Sequence, residues 1–249
     1  MLALVDADLL LYRIGYTTMD DPEWVAAARC DEMMDSILNR TEATEWRAFL
    51  SDSAENNFRH KLFPFYKAGR KQEKPTHYEF LKEHLLTRWN AEIAHGMEAD
   101  DALSIHQDSG EVLPGGAHHF TTVICSIDKD LLQREGLHFN FVKGEFIQID
   151  KAEGTRRFYT QLLTGDSTDN IRGCRQIGPV KAAKALAGLT EEEDYLEACF
   201  NLYQKQEDGM STEEILQHML LAGRLLYILR HPEDRWNFPR STQIADAFA

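Results

Sequence analysis

With 249 residues, 43% hydrophobic and 27% charged, the chain has ordinary globular values and enough apolar material for one large α/β domain or a domain with a smaller appendage. No apolar run approaches the ~18 residues of a membrane span, and the N-terminal "MLALVDADLLLYR" is interrupted by Asp6 and Asp8 with no basic region before it, so it reads as a buried strand rather than a signal peptide. Cys30, Cys125, Cys174 and Cys199 are far apart and form no CxxC, which argues against a zinc cage or disulfide framework and fits a reducing, cytoplasmic setting.

In chain order, "LALV" predicts a short strand ending at Asp6. "DDPEWVAAARCDEMMDSILNR" predicts a helix with Asp21 as N-cap and Pro22 at the first helical position. "EWRAFLSD" reads as a second strand ending at Asp52. A basic loop follows, then "THYEFLKEHLLTRWN" as an amphipathic helix, and another helix starts at Glu98 within "HGMEADDALSIH". "TTVICSI" is β-branched and predicts a strand ending near Asp128, while "HFNFVKGEFIQID" suggests two short strands turned at Gly144. Strands alternating with helices imply a mainly parallel sheet flanked by helices on both faces. From about residue 156 the pattern becomes helical. Capping boxes are expected at Thr190 with Glu193 and at Ser211 with Glu214, and Ile215, Met219, Ala222 and Leu226 mark a core-facing stripe. The expected division is an α/β domain over 1–165 and a helical segment over 166–249.

The formal charge of −14 argues against a nucleic-acid partner only if charge is evenly spread. It is not. Arg59, Lys61, Lys67, Arg70, Lys71 and Lys74 fall within "FRHKLFPFYKAGRKQEKP", where Glu73 is the only acid. Such an island can hold a phosphate backbone, although a solvated loop explains it equally well when taken alone. Asp6, Asp52 and Asp128 each follow a predicted strand at its carboxyl end, where open parallel sheets gather their functional groups. Glu98, Asp100 and Asp101 lie at a helix N-terminus, Asp130 follows Asp128, and Asp166 with Asp169 form a further acidic turn. Each has a local explanation: capping, dipole compensation or an Asx-turn. Together they are harder to dismiss, because two carboxylates ~4 Å apart repel by ~4 kcal/mol at an effective dielectric of ~20. A converging cluster must be protonated or hold cations, and all-oxygen ligation points to Mg²⁺ or Mn²⁺. Two such ions would suit phosphodiester cleavage, with the basic island holding the polyanion.

The same residues carry a family resemblance. "LVDAD", "FLSDSAENNFRHKLFPFYKAGR", "GMEADDAL", "ICSIDKDL" and "LTGDSTDNIRGCRQIGPVKAAKAL" resemble, in order, the signatures of the 5′-nuclease (flap endonuclease) superfamily, with the flavour of the bacteriophage 5′→3′ exonucleases. The resemblance implies a PIN-like α/β domain followed by a duplex-binding segment of helix-hairpin-helix type. It implies that Asp6, Asp52, Glu98, Asp100 and Asp101 serve a first metal, and that Asp128, Asp130, Asp166 and Asp169 complete a second. Lys67 and Arg70 match the basic pair placed over the scissile phosphate. Arg59, Lys61, Tyr66 and Lys71 would touch DNA from the island, and Gly178, Lys181 and Lys184 from the hairpin. For Tyr66, packing under the loop competes equally with base stacking. The hairpin at 173–178 implies a K⁺ site, but Gln176 stands where the first hairpin glycine is usual. Asp8 lies outside the pattern and reads as a turn or supporting residue. The implied partner is DNA with a 5′ end or flap, or an RNA–DNA hybrid.

Three rival readings compete with this one. A haloacid-dehalogenase-type phosphatase would use "LVDADLLL" and "GDSTDN", but needs a hydrophobic strand directly before Gly165. A non-catalytic duplex-binding protein would use the glycine-rich segment alone. A PIN-type endoribonuclease would share the cage but normally lacks the helical appendage.

Overall fold

The computed structural model describes residues 1–70, 73–113 and 118–239. It divides into two compact units: one comprises Met1–Phe58 and the described part of Lys71–Asp150, the other Arg59–Arg70 and the described part of Lys151–Ala249.

The first unit is built on a six-stranded sheet. Its elements in order are β1 (Leu2–Asp6), α1 (Ala7–Thr17), α2 (Glu23–Thr41), β2 (Glu45–Ser51), α3 (Phe58–Leu62, ending in the second unit), α4 (Tyr78–Arg88), β3 (Glu92–Ala94), α5 (Ala99–His106), a small hairpin of β4 (Glu111–Val112) and β5 (His118–His119), β6 (Thr122–Cys125), β7 (Gly136–Asn140) and β8 (Glu145–Ile149). The strand order is β3-β2-β1-β6-β7-β8, parallel except for the β7–β8 pair. β1 and β6 are buried almost throughout, as expected of parallel strands covered on both faces. Alternation along the strands sends Ala3, Val5, Ala48, Leu50, Val123 and Cys125 into one core with α1, α2 and α4. Phe49 points the other way and stacks on His106 of α5, with ring centroids 5.4 Å apart. The sheet is therefore covered on both sides. Gly144 turns β7 into β8 at φ 72, as its sequence position suggests.

Two local expectations shift. β1 runs without a connecting residue into α1, a helix not apparent in the continuous apolar "LLLY", which lacks a clear 3.6-residue period. α2 begins at Glu23 with Pro22 at its N-cap in an extended conformation, so Asp21 does not cap it.

The second unit has its own core. α6 (Lys151–Thr164) leads into a tight hairpin of β9 (Gly165–Asp166) and β10 (Ile171–Arg172), then α7 (Pro179–Ala185), α8 (Glu192–Gln206) and α9 (Thr212–Leu226). Tyr159, Leu162, Tyr195, Cys199, Tyr203, Met219 and Trp236 pack together, and the buried Tyr203 hydroxyl donates to the Leu162 carbonyl at 2.8 Å, tying α8 to α6. The hairpin needs its glycines: a Cβ on Gly165 would lie 2.4 Å from the Gly173 nitrogen, and one on Gly173 would lie 2.3 Å from the Gly165 nitrogen. α9 carries the expected Ser211–Glu214 capping box, and its predicted stripe is buried. The Thr190–Glu193 box is not formed. Glu191 is the N-cap of α8, and the Thr190 hydroxyl points to the Glu191 carboxylate instead. Because α6 is a helix up to Thr164, the strand that a haloacid-dehalogenase-type site needs before Gly165 is absent.

Candidate metal and nucleic-acid site

The acidic edge of the first unit begins at Asp6, the last residue of β1 and the N-cap of α1. Its Oδ1 accepts the Leu9 N–H at 3.3 Å and its Oδ2 accepts the Ser126 hydroxyl at 2.8 Å. Ser126 Oγ in turn accepts the Asp128 N–H at 3.0 Å, and Asp128 Oδ1 accepts the Asp130 N–H at 2.8 Å. These bonds chain three of the expected ligands from β1 to the segment after β6. Asp6 is 3% exposed. Burial, with the charge of Asp8 second and that of Asp128 last, overrides the Ser126 and Leu9 hydrogen bonds and raises its carboxyl to about 7.

Asp8 has a definite task. Its Oδ2 accepts the Ser51 N–H at 3.0 Å, and Ser51 Oγ accepts the Ala99 N–H at 2.9 Å, which ties α1, the end of β2 and the start of α5 together. Ser51, Ser126 and Asp8 were not among the residues singled out from sequence for the site. The usable signal was a small hydroxyl at two strand ends, "LSD" and "CSID".

Glu98 and Asp101 form a reciprocal capping box at the start of α5, with Asp101 Oδ2 accepting the Glu98 N–H at 3.2 Å. Asp101 is fully buried, while Glu98 and Asp100 are half-buried. Asp52 sits just beyond β2 and accepts the Gly96 N–H at 2.8 Å, the Ser53 N–H at 2.7 Å and the Asn56 amide at 3.1 Å. These donors, Gly96 foremost, hold its carboxyl below the usual range. Asp52 and Asp101 thus shape the loops around the edge.

The donor set is all oxygen, and Asp6 with Asp8 and Asp128 concentrates negative charge that a hard divalent cation would relieve. In chemistry, therefore, the residues fit such an ion. Among the described residues, however, no three His, Cys, Asp or Glu side chains are arranged to hold a metal ion.

In the second unit, the basic segment 59–70 is organised by a turn between β9 and β10. Asp166 Oδ1 accepts the Thr168 and Asp169 N–H groups at 2.7 and 3.3 Å, the Asx-turn its spacing suggests. Asp169, 8% exposed, receives Arg70 at 2.5 and 3.0 Å on Oδ1 and the Tyr66 hydroxyl at 3.2 Å on Oδ2, with the Lys67 ammonium 3.8 Å from Oδ2. Lys61 is exposed.

Two expected DNA contacts are corrected here. Arg59 is 2% exposed and donates to the Leu225 and Tyr227 carbonyls at 2.9 and 2.7 Å, so its guanidinium closes the C-terminal end of α9 rather than facing solvent. Tyr66 is 3% exposed, its ring packed in the core and its hydroxyl on Asp169, so its face is covered rather than open to a base. Lys71 lies outside the described residues.

Downstream, Gln176 adopts φ 59, a left-handed conformation that glycine would take without strain. Its carbonyl accepts the Lys181 ammonium at 2.9 Å. Gly178 is exposed, has open space where a Cβ would sit, and N-caps α7; Lys181 and Lys184 are exposed on that helix.

Comparison with known proteins gives concordant results. The family described as 5′-3′ exonuclease, N-terminal resolvase-like domain, matches residues 1–161. The chain is 30% identical over 168 residues to DNA polymerase I of Borreliella burgdorferi, covering 60% of this chain and 17% of that one. It is 27% identical over 251 residues to the flap endonuclease Xni of Photorhabdus laumondii, covering 92% of each. It thus spans about a sixth of the DNA polymerase I relatives it matches, and 63% of the Xni of a Shewanella strain. Its fold is similar to that of a bacteriophage T5 protein co-crystallised with metal ions, at TM-score 0.61 and 17% identity over 91% of this chain and 90% of the other. A T5 flap endonuclease in a pseudo-enzyme–product complex with DNA and metal ions matches at TM-score 0.56 and 17% identity, over 91% and 90% of the two chains.

Proposed function

From the membership of this chain in the 5′-3′ exonuclease family, through its N-terminal resolvase-like domain, we propose a divalent-metal-dependent 5′-nuclease that hydrolyses phosphodiester bonds in duplex or 5′-flapped DNA, with RNA–DNA hybrids as a further substrate class. The observation that carries the reading is Asp6. Its carboxyl is buried at the carboxyl end of a parallel sheet and chained through Ser126 to Asp128 and Asp130, a gathering of acidic oxygens that a bound cation would relieve. Relatives named flap endonucleases, and a T5 complex holding DNA and metal ions, support the same class.

Bound Mg²⁺ or Mn²⁺, in a pair, would supply an activated water and stabilise the leaving oxygen. Asp6, Asp128 and Asp130 with Glu98 and Asp100 are the groups that would hold it, and Asp8, Ser51, Ser126, Asp52 and Asp101 keep those groups and their loops in place. Lys67 and Arg70 would neutralise charge on the phosphate under attack, leaving the 5′-phosphate on the product. Lys61, Gly178, Lys181 and Lys184 would hold the duplex backbone, with the open face of Gly178 allowing close approach. In functional terms 1–165 would carry the chemistry, and 166–249, with Lys61, the grip. A K⁺ ion at 173–178 would share its hairpin edge with the Lys181 ammonium.

The test is cleavage of a 5′-labelled duplex, blunt and flapped, with Mg²⁺ and then with a chelator. Metal-dependent release of mononucleotides establishes an exonuclease, and a longer fragment from the flapped substrate makes it structure-specific. Tight duplex binding without cleavage in either case overturns the proposal in favour of a non-catalytic binder.

A further inference from the structure

Between Glu55 and Glu73 the chain carries no acid, and Lys61, Lys67 and Arg70 share that interval with the aromatic residues Phe63, Phe65 and Tyr66. The three rings have different fates. Tyr66 is buried in the core of the second unit, and Phe63 packs against that core from the side. Phe65 is 64% exposed, and its ring meets Phe63 at 5.7 Å with the planes 62° apart. Short-range turns fix its place: the Tyr66 N–H donates to the Phe63 carbonyl at 2.9 Å, and the Ala68 N–H donates to the Phe65 carbonyl at 3.1 Å. The ring is braced by one aromatic neighbour and keeps most of its surface in water.

Single exposed apolar residues are common, so exposure alone decides nothing. The surroundings do. Trp24, 71% exposed, has Asp20, Asp21 and Glu23 beside it in the chain, and the half-exposed Phe146 follows Glu145. Carboxylates at those places would repel a phosphate backbone. Trp46 and Tyr16 are less exposed and tethered, the indole N–H donating to the Trp89 carbonyl at 2.9 Å and the hydroxyl to the Glu73 carbonyl. Among the described residues, Phe65 is the strongly exposed ring whose charged chain neighbours are all cationic.

We propose that Phe65 is a stacking platform for an unpaired nucleobase of single-stranded DNA, with Lys61 and Lys67 on either side of it in the chain to take the neighbouring phosphates. Every base has a π-face, so the platform accepts any sequence, whereas bases in a duplex already cover theirs. Phe65 therefore selects the single-stranded part of a substrate and acts on binding, not on the bond that is broken. The idea deepens the nuclease reading and rests on it for the substrate class, and binding without metal tests it apart from cleavage.

The experiment uses the full chain, with chelator present and a short oligothymidylate as the probe. Ultraviolet cross-linking read by mass spectrometry should place the adduct on Phe65. Phe65→Ala should weaken binding of the oligonucleotide at least about fivefold; Phe65→Trp should restore it and Phe65→Leu should not. Trp24→Ala should bind as wild type does. The salt dependence of binding should keep its wild-type slope in Phe65→Ala, because no cation has been removed. No binding by wild type, an adduct elsewhere, or wild-type affinity in Phe65→Ala overturns the proposal. So does full rescue by Phe65→Leu, which keeps apolar area without a π-face, and so does a changed salt slope, which would place the loss on displaced cations. With Mg²⁺ restored, KM for a flapped duplex should rise in Phe65→Ala while kcat stays within about twofold of wild type. Wild-type protein that cross-links at Phe65 but cleaves nothing would defeat the nuclease reading and leave the platform standing.

Discussion

Asp6 and Asp169 are both buried aspartates in the acidic motifs, and their neighbours could hardly differ more. Asp6 looks onto Asp8 and Asp128 and leans on a serine hydroxyl, with its carboxyl raised to about 7. Asp169 looks onto Arg70, Lys67 and a tyrosine hydroxyl. One is charge waiting for an external partner; the other already has internal ones. The same residue type thus sits among carboxylates in one unit and among cations in the other.

The contrast yields ordered expectations. Asp128→Ala should have the largest effect, lowering cleavage at least about 100-fold while duplex binding stays largely intact, as removal of a group central to the charge arrangement typically does. Wild-type turnover in a metal-dependent assay of that variant would break the acidic-edge assignment. Arg59→Ala should come next. It abandons two buried carbonyls at the end of α9, each charged hydrogen bond being worth about 1.5–3 kcal/mol, and thermal melting should fall by about 2–4 °C per kcal/mol lost.

Asp6→Asn should act in the opposite direction on the metal-free protein. The Asp6 carboxyl moves from 3.8 to about 7 on folding, so the folded state holds a proton that the unfolded chain has released. Its stabilising share is complete below the unfolded value and is lost as pH rises through the folded one. Melting of the metal-free wild type should therefore decline between pH 4 and pH 7, and Asp6→Asn should flatten that slope and raise the melting temperature at pH 7.5 by a few degrees. A slope unchanged by the substitution would show that another group titrates. Gln176→Gly should give the smallest change. Relief of the left-handed strain, about 1–2 kcal/mol, is partly offset by the extra freedom of glycine in the unfolded chain, for a net gain below about 1 kcal/mol by denaturant melting.

Much of this was legible in the sequence. The buried runs "LALV" and "TTVICSI", the turn at Gly144 and the stripe of α9 follow from burial on two faces or one, and those patterns are local. The order of the acidic motifs was equally plain. What stayed hidden depends on partners distant in sequence. Arg59 sits among basic residues and reads as surface, but carbonyls more than 160 positions away bury it. One miss is local instead: Thr190 and Glu193 have the spacing of a capping box, and the adjacent Glu191 takes the cap position. Asp8 reads as a turn or supporting residue, but which segments it supports shows only in its hydrogen-bonded chain through Ser51 to Ala99 of α5.

The junction of β1 and α1 has one last implication. Asp6 ends the strand and caps the helix with no residue between them. Each residue of an α-helix turns about 100°. A single insertion after Asp6 would therefore swing the apolar face of α1 about a quarter-turn off its core, or else drag the carboxyl out of reach of Ser126. Length variation among descendants of this gene should be almost forbidden at that corner, making it a ruler against which looser stretches of the chain can drift.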